Sequence, residues 1–376
     1  NKYLAGIYLH IPFCKKACHY CDFHFSTSLK YKTEVLEAME KEIVLRKNFL
    51  KNAVIQSIYF GGGTPSILNP SEINRLLGVI GCNFRISPTC EITLEANPDD
   101  LSYAKIAALS KTINRLSIGV QSFFDGDLRY MNRSHNAKQA LESIQKAARF
   151  FENISIDLMY GFPNMTPERW EKNLQTAFDL PVRHISAYAL TVEPKTPLEY
   201  FIRQKKHPPL KESTALAHFT ILCNAAMKKE FIPYEISNFG KRGFFSHHNT
   251  NYWRGVPYLG IGAAAHSFNG VQRSWNVSNN LKYFNSIAKN ILPLTVEKLS
   301  QNDRYNEYIM TNLRTMWGVD LKGVQNNFGT KFYDDLKKQS KKYIEENLLT
   351  LEKNHLKHTR KGAFLIDGIA ADLFRY

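Results

Sequence analysis

Short apolar runs rich in β-branched residues alternate with longer amphipathic stretches through the first half of the chain. The runs are Ala5–His10, Ile55–Phe60, Glu91–Ala96, Arg115–Val120, Ile154–Met159 and His184–Leu190, and their pattern predicts strands. Between them Glu34–Phe49, Ser102–Ser110, Ala137–Phe151 and Pro167–Phe178 predict helices. Two helix starts are marked locally. Asn69-Pro70 followed by Glu72 supplies an N-cap, a proline at the first helical position and an acid at the third, and Thr166-Pro167 repeats the device. Such alternation predicts an α/β fold with a parallel sheet. Six units are two short of a closed eight-fold barrel; an open doubly wound sheet fits the same alternation.

After about Leu210 the rhythm changes. Glu212–Lys229 and Glu297–Met316 read as helices, with a Gly- and aromatic-rich tract from Phe239 to Asn276 between them. Val319–Tyr376 is Lys-rich, with two helix patterns and a short apolar run at Asn347–Leu351. The expected organisation is a partial barrel over residues 1–210, a connecting region over 211–300 and a small, mainly helical domain over 301–376.

Composition narrows the class. A chain of 376 residues suggests two or three domains at roughly 150 residues each. With 44% hydrophobic and 22% charged residues it is neither disordered nor fibrous. No apolar run approaches the roughly 18 residues of a membrane span, and Asn1–His10 is too short and mixed for a secretory signal. Of six cysteines, three fall within eight positions, which predicts a reducing, cytoplasmic setting and a metal site. The net charge of +15 comes from scattered lysines such as Lys205-Lys206 and Lys337-Lys338. No specific nucleic-acid binding is expected from that scatter. An acidic protein partner, such as a small electron donor, would use the same surface.

The strongest local signal is Cys14-x3-Cys18-x2-Cys21, directly after the first strand. Thiolates suit iron–sulfur clusters and zinc. Three on one loop can hold three irons of a four-iron cluster. Phe23 stands two positions beyond Cys21, so a fourth iron has no nearby cysteine and is open to a ligand, the logic of catalytic zinc sites. The alternative is a structural zinc with His10, His19 or His24 as fourth ligand. Gly61-Gly62-Gly63-Thr64-Pro65 follows the second strand, either as a plain tight turn or as a loop whose backbone approaches a ligand. Glu95 and Gln121 end the third and fourth strands, Asp157 interrupts the fifth, and Arg133 follows Gln121. Singly each fits a salt bridge or sheet-end hydrogen bond; together, with Tyr8, they form a polar ring around one mouth.

The cysteine spacing, with Tyr20 just before the third thiol, resembles the signature of the radical S-adenosylmethionine (SAM) superfamily. That resemblance implies a partial (β/α)6 barrel, a 4Fe–4S cluster on Cys14, Cys18 and Cys21, and SAM chelated at its unique iron. Reduction would cleave SAM to methionine and a 5′-deoxyadenosyl radical. His10-Ile11-Pro12-Phe13-Cys14, Leu94-Glu95-Ala96-Asn97-Pro98, Gly119-Val120-Gln121-Ser122-Phe123, Asp157-Leu158-Met159-Tyr160-Gly161 and Leu259–Ser267 resemble the anaerobic coproporphyrinogen III oxidase branch. By that resemblance Tyr8, Gly62, Gly63, Thr64, Glu95, Gln121, Arg133 and Asp157 contact SAM. Glu95 and Asp157 suit hydroxyls or an amino group, and Arg133 a carboxylate.

Two departures from the oxidase pattern, Phe23 in place of a fourth cysteine and only thirteen residues before Cys14, resemble the HemW-type haem chaperones of the branch. His248-Asn249-x-x-Tyr252-Trp253 resembles their haem motif. Haem needs an axial ligand and flat apolar walls, and Phe244, Phe245, Tyr252 and Trp253 surround His248 in sequence. A packed aromatic loop is the plainer reading, and His247 and His266 are alternative ligands. The implied function is a chaperone that binds the cluster, SAM and haem. It would deliver haem to a membrane haemoprotein such as a respiratory cytochrome and draw electrons from a flavodoxin- or ferredoxin-type donor. Its basic surface suits membrane or partner contact. No catalytic residue is assigned. The alternatives are oxygen-independent coproporphyrinogen III oxidase and a zinc-stabilised protein without a redox centre.

Overall fold

The computed structural model describes Leu4–Tyr376. Asn1–Tyr3, at the head of the stretch read as too short for a secretory signal, lie outside the described residues. Six strands, β1 (Leu4–Ile11), β2 (Val54–Gly62), β3 (Arg85–Ala96), β4 (Arg115–Gln121), β5 (Ile154–Tyr160) and β6 (His184–Ala189), pair in parallel and in chain order. Between successive strands the chain crosses over through helices. These bury Met39 and Ile43, Leu76 and Ile80, Ile106, Ile144, and Leu174 against Ile7, Leu9, Ile118, Ile156 and Ile185 of the sheet. Each fully buried side chain of this kind contributes about 1.5–3 kcal/mol. The helix Pro70–Asn83 starts as its sequence predicts. The Asn69 side chain accepts from the Glu72 N–H at 2.9 Å, and the Glu72 carboxylate accepts from the Asn69 N–H at 2.9 Å. Thr166 caps the helix Pro167–Asp179 by accepting from the Arg169 N–H.

The sheet extends at both ends. β7 (Ile232–Pro233) and β8 (Asn238–Gly240) add antiparallel to β6. On the other side β9 (Tyr258–Ile261) lies parallel to β1, and β10 (His266–Phe268), β11 (Gln272–Asn276) and β12 (Leu294–Lys298) follow antiparallel. The strand order runs from β12 to β7 with both edges open, so the barrel is not closed. Glu297 and Lys298, predicted as the start of the helix Glu297–Met316, belong instead to β12. They pair with β11, and the helix runs from Gln301 to Leu313 behind a Ser300–Asp303 capping box. A second core gathers Tyr305, Ile309, Leu313, Leu336, Leu349, Leu356 and Leu373. Its helices pack with a small sheet of β13 (Val319–Asp320), β14 (Leu349–Glu352) and β15 (His355–His358), in which the apolar run at 347–351 contributes β14. Among the described residues no helix is long and apolar enough to cross a membrane.

One buried polar knot fastens the β9–β11 extension to the helix Lys32–Leu45. The Glu42 carboxylate, fully buried, accepts from the Gly262 N–H (2.9 Å), Asn276 Nδ2 (2.8 Å), Tyr283 Oη (2.7 Å) and Arg46 Nη1 (3.2 Å). Arg46 also donates to the Gly260 carbonyl at 3.0 Å. Removing one member of a buried ion pair strands the other charge. Glu42→Ala is therefore expected to cost about 3–5 kcal/mol in chemical denaturation; a loss below about 1 kcal/mol contradicts this role.

Candidate functional site

The loop after β1 carries Cys14, Cys18 and Cys21, all free thiols. It is pinned along its length. The Cys14 N–H donates to the Ser26 carbonyl (3.0 Å), the His19 N–H to Met131 (3.1 Å), Asn132 Nδ2 to Ala17 (2.7 Å) and the Leu198 N–H to His19 (2.8 Å). Lys15 pairs with Asp99 and Asp100 beyond β3. The glycine run after β2 is what lets the loop sit down. The Gly63 N–H donates to the Ile11 carbonyl at 2.9 Å and the Thr64 N–H to the Phe13 carbonyl at 2.7 Å. A Cβ on Gly63 would lie 2.6 Å from the Phe13 oxygen and 2.8 Å from that of Ile11. Gly62 has φ +102°, and a Cβ there would meet the His10 ring at 2.6 Å. Thr64 Oγ1 reaches Cys14 Sγ at 3.4 Å.

The three cysteines share one cavity of about 360 Å³ with Gly62, Gly63, Thr64, Glu95, Gln121, Arg133 and Asp157. Arg133 bridges its two sides. Its guanidinium donates to Cys18 Sγ (3.3 Å), Tyr20 Oη (3.4 Å), Asn97 Oδ1 (2.7 Å) and the Gly119 carbonyl (2.8 Å). Its Nε is buried without a protein partner. Glu95 accepts from Tyr59 Oη at 2.7 Å, and burial pushes its carboxyl up to about 7. Burial likewise raises Asp157 to about 6, against a hydrogen bond from Ser117 at 3.5 Å. Cys21 is pushed up to about 12 by burial. Gln121 holds φ +67°, a left-handed conformation that a non-glycine residue adopts at some cost. Asn97, Ser117 and Tyr188 line the same cavity without having been singled out for a role. Asn97 stands inside the Leu94–Pro98 motif, which was the available signal.

Tyr8 lies elsewhere. It lines a second cavity of about 1100 Å³, and its hydroxyl meets His10 Nδ1 at 3.1 Å. His248, Asn249, Tyr252, Trp253 and His266 line this second cavity too. The two cavities adjoin, sharing Phe23, Phe25, Glu95 and Tyr188. His248 sits on the short helix His247–Trp253, whose first N–H groups are met by the buried Glu91 carboxylate at 3.0 and 3.1 Å. Its Nδ1 is 2.9 Å from Ser57 Oγ, and its ring lies 4.9 Å from that of Tyr59. Burial lowers its pKa to about 4. His247 is exposed and lines neither cavity. His266 stacks on Trp275 at 5.7 Å. Phe244 and Phe245 line neither cavity; Phe245 stacks on Tyr234 instead.

The histidines near the cysteine loop are turned to other partners. His10 Nε2 meets the His24 carbonyl at 2.8 Å, His19 Nδ1 the Tyr130 carbonyl at 2.9 Å and His24 Nε2 Asn280 Oδ1 at 2.8 Å. Cys82 is exposed, while Cys90 and Cys223 are buried.

A family model described as the radical SAM superfamily matches residues 8–177, and a HemN C-terminal domain model matches residues 299–365. The chain is 34% identical over 369 residues to the heme chaperone HemW of Bacillus subtilis, covering 96% of this chain and 97% of that one. To the heme chaperone HemW of Lactococcus lactis it is 31% identical over 360 residues, covering 94% and 93%. Among solved structures, coproporphyrinogen III oxidase (HemN) from Escherichia coli matches with a TM-score of 0.85 at 22% identity, covering 100% of this chain and 90% of that one. The last likeness shows a shared fold.

Two outcomes follow from this geometry. Gly63→Ala forces a methyl onto two carbonyl oxygens, an overpacking expected to cost about 1–3 kcal/mol in denaturation. Wild-type stability contradicts it. Glu95 keeps its proton in the folded protein up to about pH 7, whereas the unfolded chain releases it near the ordinary value of 4.5. Between these values the folded state holds the extra proton, so this carboxyl's contribution to stability falls as pH rises and levels off above 7. Glu95→Gln is therefore expected to gain on wild type as pH climbs through that window. Melting curves with a pH-independent difference contradict it.

Proposed function

The chain belongs to the HemW family of the radical SAM superfamily, and from that premise we propose that it holds a 4Fe–4S cluster and SAM in its first cavity and haem in the adjoining one. The observation that carries the reading is the adjacency of the two cavities. Three thiols line one, a histidine backed by a hydroxyl lines the other, and four residues form part of both. Cys14, Cys18 and Cys21 hold the cluster. When bound, a cluster with one iron free of protein sulfur supplies a coordination position for SAM and an electron for its cleavage. The donor chemistry suits this group, with three thiols on one loop and the Arg133 guanidinium against Cys18 to offset thiolate charge, although among the described residues no three such side chains are gathered closely enough to hold a metal ion. Arg133 suits the SAM carboxylate, and Glu95 and Asp157 suit its amino group or ribose hydroxyls.

On the haem side, burial keeps His248 neutral at physiological pH, as ligation requires. Ser57 engages Nδ1, leaving Nε2 to the metal, the usual way a second hydrogen bond fixes a ligating imidazole. Tyr252 and Trp253, edge-to-face at 5.3 Å, offer an apolar wall. The cargo is delivered to a membrane haemoprotein such as a respiratory cytochrome, with the +15 charge favouring an anionic membrane or partner surface. A flavodoxin- or ferredoxin-type donor supplies electrons. The work takes place in the cytoplasm, where the six free cysteines stay reduced. A zinc-only reading has less support, since His10, His19 and His24 are engaged elsewhere.

Haem titration tests the ligand. His248→Ala is expected to shift the Soret band and weaken binding by at least about tenfold, whereas curves identical to wild type remove His248 from the role. Incubating reduced, cluster-loaded protein with SAM and coproporphyrinogen tests the reading as a whole. No protoporphyrinogen is expected; its appearance would establish the oxidase instead.

A further inference from the structure

Two arginines of the second cavity have no part in the reading so far. Arg314, at the C-terminal end of the helix Gln301–Leu313, lays its guanidinium 5.1 Å from the centre of the Trp253 ring. Arg273, on β11, lines the same cavity beside Tyr258. Of the acids near them two are paired, and Glu235 is bonded through Oε1 only, its buried Oε2 making no hydrogen bond. Glu307 pairs with Arg273, and Asp367 with Arg314 Nη1. Glu235 accepts from the Ser237 N–H at 2.9 Å and from Asn238. Arg314 Nη2 is left with no closer acid than Glu235, at 4.0 Å, and makes no hydrogen bond. Asp22 and Glu95 are the remaining acids of the cavity, and Glu95 is bonded to Tyr59.

We propose that Arg314, aided by Arg273, is the carboxylate anchor for the macrocycle held at His248, so that the second cavity selects tetrapyrroles bearing free propionates. This deepens the haem reading above and rests on it. The argument is one of placement. His248 and Trp253 lie five residues apart on one short helix, about 7.5 Å along its axis. A flat ligand held at His248 and lying along Trp253 brings its edge to the guanidinium beyond that ring. A planar fork with a free donor is the group that grips a carboxylate in two-point fashion, and a lysine there would not. Stacking on Trp253 holds the fork in place before the ligand arrives.

The test pairs haem with haem dimethyl ester, in which both propionates are blocked. Wild type is expected to bind the ester at least about tenfold more weakly than haem, with the same Soret position for both. Arg314→Gln is expected to lose about that factor toward haem and almost nothing further toward the ester, again with an unmoved Soret band. Arg314→Lys should recover only part of the loss, and Arg273→Gln should show a smaller effect of the same selectivity. The wild-type comparison needs no substitution and stands whether or not a variant folds. Equal affinity of wild type for haem and ester overturns the assignment, as does an equal loss toward both in Arg314→Gln. Absence of any His248-dependent Soret band in wild type removes the haem reading itself, and the anchor with it.

Discussion

The parallel pairing of β1 with β2 is the constraint on which both cavities depend. Its register sets Gly6 beside Ser57, Tyr8 beside Tyr59, His10 beside Gly61 and Ile11 beside Gly62. At its C-terminal end the cysteine loop leaves one strand and the glycine loop the other, and they close on each other through two backbone hydrogen bonds with no room for a side chain. Midway along, Gly6 leaves space where a Cβ would stand 2.9 Å from Ser57 Oγ and 3.4 Å from His248 Nδ1. A one-residue slip of β1 would turn Tyr8 and His10 to the opposite face, and one of β2 would turn Ser57 and Tyr59. Both the thiol loop and the histidine would then lose their supports.

Burial weighs heavily on the polar groups of the first cavity. Glu95 on β3 and Asp157 on β5 both line it, and burial raises both carboxyls toward neutrality. Arg133 is fastened by four acceptors across the mouth. Such groups are costly to a fold and cluster where a ligand is handled. The Glu42 knot plays a different part. Its carboxylate accepts from four donors and lines neither cavity, tying Gly262 at the end of β9 to the helix Lys32–Leu45.

Much of this could be read from the chain. The six apolar runs match β1–β6 to within two residues at most of their ends, because buried parallel strands are nearly continuous in hydrophobicity. β3 starts six residues before its run, since Arg85–Thr89 is largely exposed and carries no apolar signal. β9 lies inside the Gly- and aromatic-rich tract, whose composition hides it, and the exposed end of β12, Glu297–Lys298, falls within the predicted helix Glu297–Met316. The Glu42 knot was beyond reach, for its partners other than Arg46 lie more than 200 residues away. The ring of Gly62, Gly63, Thr64, Glu95, Gln121, Arg133 and Asp157 was legible because most of its members end or follow a parallel strand, where strand ends meet at one edge, and Asp157 breaks the apolar run of β5. Tyr8 belongs to β1 rather than to the loop beyond it, which sets it deeper, beside His248. That Ser57 backs His248 and His247 does not line the cavity needed the three-dimensional register.

The central claim is that cluster and macrocycle occupy neighbouring chambers of one chain. Cobalt(II) protoporphyrin, paramagnetic and stable to dithionite, tests it most directly. When it is bound to anaerobically reconstituted, reduced protein, the electron paramagnetic resonance signal of the cluster should relax faster and broaden, and His248→Ala should remove the effect. A cluster signal unchanged at full porphyrin occupancy would contradict the account.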